Sequence, residues 1–124
     1  MPIVPLSNVQ LLRYAKLLRL AHFRGVFAKD SMPRSPRKLE CGIVNLANST
    51  DAFGTHWVAY RIVYPRCYYF DPIGNLTPPN ELVKYFRGLK MLYNYDRFQS
   101  PNSQLCGHWC LSFLNNELEF LSVG

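Results

Sequence analysis

Residues 56–70 constrain this chain more than any others. His56-Trp-Val-Ala-Tyr-Arg-Ile-Val63 and Cys67-Tyr-Tyr-Phe70 are rich in β-branched and aromatic side chains and are joined by Tyr64-Pro65-Arg66. Such residues suit a pleated surface, and two runs so closely joined predict a β-hairpin. Antiparallel pairing sets the start of the first strand beside the end of the second. His56 opens one strand and Asp71 follows the other, so the hairpin brings an imidazole against a carboxylate. A carboxylate that bonds one ring nitrogen leaves the other to act as a base. A simpler reading also stands, in which His56 is a strand-end histidine and Asp71 forms the turn before Pro72.

The flanking segments fill in the architecture. Ser7-Asn-Val-Gln10 has the form of a capping box. Leu11, Tyr14, Ala15, Leu18 and Ala21 then share a helical face, which predicts a helix over 8–21 that leaves Arg13, Lys16 and Arg19 in water. Lys29 to Leu39 holds two prolines without periodicity and reads as loop, whereas Cys41 to Leu46 is a short apolar run that suits a buried strand. Thr77-Pro78 has the form of an N-cap followed by a first helical residue, starting a helix that ends near Gly88. Met91 to Tyr95 reads as a strand, and Gln104 to about Leu121 as a helix with Leu105, Trp109, Cys110, Phe113, Leu114 and Leu118 in one stripe. This order gives an α+β fold, a small, mainly antiparallel sheet with flanking helices, in a single domain over 1–124.

At 124 residues, 48% of them apolar, the chain suits one domain with one core. No apolar run nears the roughly 18 residues that read as a membrane span. Met1-Pro-Ile-Val-Pro5 lacks the layout of a secretory leader. The expectation is an intracellular protein that is not secreted and makes no membrane contact. Its four cysteines then read as free thiols. Cys106-Gly-His-Trp-Cys110 lacks the spacing of a zinc knuckle and has no matching second pair, so no metal site is expected. The net charge of +6 favours polyanions such as nucleic acid. Much of it lies between Lys29 and Lys38, which reads equally well as a solvated loop.

The thiols are not equivalent. Cys106 follows the Pro101-Asn-Ser turn and heads the last helix, where the helix N-terminus favours a thiolate. Cys41, Cys67 and Cys110 lie inside expected elements and read as small buried hydrophobes. Gly107 would let a substrate backbone come close, and with Gly54, Thr55 and Trp57 it is assigned to the substrate cleft. Trp57 reads equally as a core aromatic. His108 projects about 200° around the helix from Cys106, so it is not the expected base. His22, at the end of the first expected helix, is suited to meeting that helix's dipole.

Together Lys38-Leu-Glu-Cys-Gly-Ile-Val-Asn45, Gly54-Thr-His-Trp-Val-Ala-Tyr60, Tyr69-Phe-Asp-Pro72 and Gln99-Ser-Pro-Asn-Ser-Gln-Leu-Cys-Gly-His-Trp-Cys110 resemble the adenovirus maturation protease (adenain) family. The nearest likeness is to proteases of Maverick/Polinton elements and adenovirus-like DNA viruses. The likeness covers residues 20–114, in the order His, acidic residue, Gln, Cys, opposite to papain-like enzymes. It implies Cys106 as nucleophile, His56 as general base, Asp71 as orienting acid and Gln99 as oxyanion donor. It also implies the fold of the SUMO-specific proteases and a cysteine endopeptidase that cuts viral capsid and core precursors after small residues such as glycine. The enzyme would require no cofactor, be stimulated by DNA and a viral peptide, and work as a monomer in the host nucleus or virion. The chain departs from the family in three respects. Fewer residues follow Cys106, no cysteine lies between Cys67 and Cys106 to tether a peptide, and Asp71 stands where adenain has glutamate. Two other readings compete: a basic nucleic-acid-binding or scaffold protein that keeps the fold without the activity, and a SUMO- or ubiquitin-like-specific protease.

Overall fold

The computed structural model describes residues 6–46, 56–74, 77–94, 97–98, 105–116 and 122–123. In chain order the elements are α1 (Asn8–Leu17), β1 (Phe23–Ala28), β2 (Leu39–Asn45), β3 (Trp57–Val63), β4 (Arg66–Phe70), α2 (Asn80–Tyr85), β5 (Lys90–Asn94), α3 (Cys106–Leu114) and β6 (Ser122–Val123). The strands form one sheet in sequence order, β1-β2-β3-β4-β5-β6. Pairs β2–β3, β3–β4 and β5–β6 are antiparallel, and β1–β2 and β4–β5 are parallel. The expected α+β class and mainly antiparallel sheet are therefore present. Each parallel pair requires a crossover: α2 lies in the second, and the proline-containing basic segment before Leu39 is the first. Among the described residues no helix is long and apolar enough to cross a membrane.

The hairpin is present as read, with Val63 paired to Arg66 and Ala59 to Phe70. Arg66 already belongs to β4, so the turn is Tyr64-Pro65 alone. Both faces of the sheet are covered, which explains why β3 is apolar except for Arg61 rather than alternating. Trp57, Ala59 and Phe70 join Cys41, Ile43 and the buried faces of α1 and α3 on one side. Val58, Tyr60, Ile62, Cys67 and Tyr69 pack with Leu82 and Tyr85 of α2 and with Phe86 just after it on the other.

Several boundaries differ from expectation for local reasons. The capping box of α1 forms, Gln10 N–H donating to Ser7 Oγ at 3.2 Å and Ser7 N–H to Gln10 Oε1 at 2.9 Å. The helix ends at Leu17 rather than residue 21, because Arg19 takes a left-handed φ of 54°. His22 thus lies beyond the helix, not at its end, and its carbonyl accepts from Cys41 N–H at 2.9 Å. Strand β1 was not expected. It is an edge strand paired in parallel, and a register shift between Phe23 and Gly25 breaks its period of two. Thr77 and Pro78 precede α2 instead of starting it, because Pro79 disfavours a helical conformation at Pro78. Helix α3 ends at Leu114, not near 121: Arg61 bonds the Leu114 carbonyl and the Asn116 side chain, and Asn116 has a φ of 59°. Gln104, Tyr95 and residues 117–121 lie outside the described residues.

The α2 side of the sheet holds a buried ion. Glu40 is 2% exposed. One carboxylate oxygen accepts from Arg24 at 2.9 Å and from Arg37 N–H at 2.8 Å, and the other accepts from the Tyr60 and Tyr85 hydroxyls. Burial alone would raise the pKa of Glu40, but these donors outweigh it and hold it below the ordinary carboxylate range. Gly42 makes room for this arrangement. A Cβ there would meet the Tyr60 hydroxyl and ring at 2.8 Å, so the phenol crosses β2 only over a glycine.

Candidate active site

The hairpin carries the first two groups. His56 immediately precedes β3, and its carbonyl accepts from Leu46 N–H at 2.9 Å, which ties it to the end of β2. Asp71 immediately follows β4 and is 1% exposed. The His56 Nε2–Asp71 Oδ1 distance is 2.8 Å. Asp71 also forms the turn that the simpler reading assigned to it: Oδ1 accepts from Ile73 N–H at 3.0 Å, and its carbonyl accepts from Gly74 N–H at 2.9 Å. An Asx turn of this kind orients the carboxylate while it reverses the chain. The two readings therefore describe one residue.

The third group comes from the other end of the chain. Cys106 is the first residue of α3, with Leu105 as N-cap. Helix α3 lies against the sheet through stacked rings, Phe113 on Phe70 at a centroid distance of 4.8 Å, extended by Phe98 and Trp109. This packing sets the helix start beside the first residues of β3. The Cys106 sulfur accepts from Trp57 N–H at 3.3 Å and lies close enough to His56 to influence its titration. With Nε2 on Asp71, Nδ1 is the ring nitrogen left for the thiol. Burial would lower the His56 pKa, but the hydrogen bond and charge of Asp71, with the neighbouring Cys106, raise it to about 9. An imidazolium in this position is the counter-ion that a thiolate requires.

The remaining thiols sit in different surroundings. Cys41 donates to the Ala21 carbonyl at 3.4 Å, and burial pushes its pKa up to about 11. Cys67 and Cys110 are fully buried in opposite cores, and burial raises both. All four cysteines are free.

The residues assigned to the cleft divide. The Trp57 side chain is a core aromatic, 8% exposed, whose Nε1–H donates to the Leu6 carbonyl at 3.2 Å. Its backbone N–H is what reaches the thiol. Gly107 is buried, and a Cβ there would meet Leu11 at 3.2 Å and Leu6 and Trp57 at 3.5 Å. Its missing side chain admits α1, not a substrate backbone as the sequence suggested. Gln99, Gly54 and Thr55 lie outside the described residues. Sequence reasoning missed Asn94 at the end of β5, whose side-chain amide bonds the backbone of Asp71 on both sides. Nothing in the sequence around Asn94 signals this.

No protein-family model matches the chain. Over 111 residues it is 32% identical to the protease of bovine adenovirus C serotype 10, a match that takes in 76% of this chain and 53% of the relative. The protease of bovine adenovirus B serotype 3 is 29% identical over 112 residues, covering 76% of this chain and 51% of the relative. The chain spans about half the length of the curated relatives it matches. Its fold resembles the crystal structure of the ASFV pS273R protease, with a TM-score of 0.52 at 17% identity over 93% of this chain and 59% of that one.

Proposed function

We propose that this chain is a member of the adenain-like cysteine protease family, a cysteine endopeptidase that cleaves viral precursor proteins during virion maturation. The single observation that carries the proposal is the 2.8 Å contact of His56 Nε2 with Asp71 Oδ1 beside Cys106, which stands at a helix start. Cys106 attacks the scissile carbonyl carbon, and His56 hands a proton to the leaving amine. Water, deprotonated by His56, then releases the acyl group and restores the thiol. Asp71 fixes the ring so that Nδ1 faces sulfur. The Cys106 N–H, at the head of α3, and the Gln99 amide hold the oxyanion. The reaction draws on side chains and backbone alone.

DNA is proposed as a second partner. Arg37, Lys38, Arg66, Arg87 and Lys90 are all exposed. Register places Arg66 beside Lys90 at the end of the sheet away from Cys106. The exposed Tyr64 ring sits among them, with Lys38 Nζ 5.6 Å above its centre. Cations interleaved with an aromatic ring suit a phosphate backbone.

The test is cleavage of a glycine-containing peptide and of a folded SUMO-like substrate by the chain and its Cys106→Ala and His56→Ala variants. The expected result is cleavage of the peptide that both variants lose by at least about 10²-fold. Wild-type turnover by Cys106→Ala overturns the proposal, and cleavage of the folded substrate alone transfers it to the SUMO-protease class.

A further inference from the structure

Strand β4 ends at Phe70, where its pairing with Ala59 on one side also ends, and its last pair with β5 is Tyr69 with Tyr93. Asp71 is therefore one residue past the β3 ladder and two past the β5 ladder, where a chain ordinarily frays. The orienting carboxylate of the site would then hang from a loose strand end. Asn94 occupies the position where the ladder should continue. On the other edge of β5 its backbone is paired with Ser122 of β6. Its side chain is 1% exposed and makes two bonds to one residue: Nδ2 donates to the Asp71 carbonyl at 2.6 Å, and Oδ1 accepts from Asp71 N–H at 2.8 Å. The amide thus supplies the donor and the acceptor that one more strand residue would have supplied.

Few side chains can do this. An aspartate there has no donor, a leucine of similar shape has neither group, and a glutamine is one methylene longer. The clamp holds the peptide groups on both sides of the Asp71 Cα, while Ile73 N–H donates to Oδ1, the same carboxylate oxygen that meets His56. A catalytic group tolerates displacement of only about 0.5 Å before its chemistry suffers.

We propose that Asn94 is a positioning residue: its amide extends β4 by one residue and so fixes the Asp71 carboxylate against His56, and through it the imidazole against Cys106. The inference rests on the reading of these three residues as a catalytic group.

The experiment uses the full chain with Asn94→Leu, which removes both bonds without adding charge, and Asn94→Ser, whose smaller side chain leaves room for water at the Asp71 peptide. Three quantities are read in each variant: kcat and KM on the glycine-containing peptide, the ring titration of His56 by NMR, and the thermal midpoint. The expected result is a folded protein whose kcat falls 10–100-fold, the usual cost of losing an outer partner, with KM changed less than about twofold. His56 then titrates below its wild-type value, because the carboxylate no longer sits squarely on Nε2. Should Asn94→Leu fail to fold, Asn94→Ser decides. A folded variant with wild-type kcat and an unchanged His56 titration overturns the inference and leaves Asn94 a structural residue. Absence of cleavage by the wild-type chain overturns the catalytic reading instead. The His56 titration in the same variants then still decides the clamp.

Discussion

Replacing Asp71 with asparagine tests the electrostatics of the site while keeping its shape. The amide oxygen can still accept from His56 and from Ile73 N–H, so what is lost is charge. His56 titrates at about 9 in the folded chain, against about 6.5 for an ordinary histidine, and each pH unit corresponds to ~1.4 kcal/mol. Net of the desolvation of the ring, the site therefore favours the imidazolium by roughly 3 kcal/mol. Asp71 provides the largest share opposing the desolvation of the ring, with Cys106 next. Removing the carboxylate should lower the His56 titration by at least about one pH unit, ~1.4 kcal/mol. A pKa raised by folding stabilises the protein fully below the unfolded value, and that gain disappears as pH rises through the folded value. Wild type should thus be more stable than Asp71→Asn by about 1–3 kcal/mol near pH 6, and the gap should narrow as pH passes about 9. Paired urea unfolding curves across that range, with NMR titration of His56 in both proteins, measure the effect. An unmoved His56 titration, or a stability gap independent of pH, refutes the reasoning.

Three further outcomes are expected. Gly42→Ala puts a methyl group 2.8 Å from Tyr60, and the ring cannot retreat without leaving Glu40; unfolding should show a loss of about 2–4 kcal/mol from overpacking and the lost charged hydrogen bond. Glu40→Gln should cost stability at neutral pH but progressively less on acidification. The depressed pKa of Glu40 stabilises the fold above its unfolded value and ceases to do so as pH falls through its folded value. Arg66→Glu with Lys90→Glu should weaken binding to duplex DNA and flatten its salt dependence, by about one unit of slope per phosphate contact removed. Unchanged affinity would place any DNA contact elsewhere.

What the sequence reveals about this molecule follows local pattern, and what it hides depends on partners distant in the chain. The hairpin was legible because β3 and β4 carry their own composition and turn, and it alone delivers the His56–Asp71 pair. Cys106 stood out because it heads a helix while Cys41, Cys67 and Cys110 fall inside elements. Strand β1 was hidden because a parallel edge strand with a register shift has no readable period. Helices α1 and α3 read too long because an apolar stripe does not show where the chain turns left-handed, as it does at Arg19 and Asn116. The role of Glu40 was hidden, since Arg24, Tyr60 and Tyr85 reach it from three other elements. Asn94 was invisible for the same reason, its partner Asp71 lying across the sheet.

The most direct test of the account is the rate at which each cysteine reacts with iodoacetamide at about pH 7, mapped by mass spectrometry in the native chain and in His56→Ala. Thiolate, not thiol, reacts. Cys41, Cys67 and Cys110 are buried thiols whose burial keeps them protonated. Cys106 lies against the imidazole of His56. The account predicts that Cys106 reacts first, by at least about 10²-fold, and that His56→Ala removes the advantage. Equal rates at the four cysteines, or a Cys106 rate indifferent to His56, would contradict it.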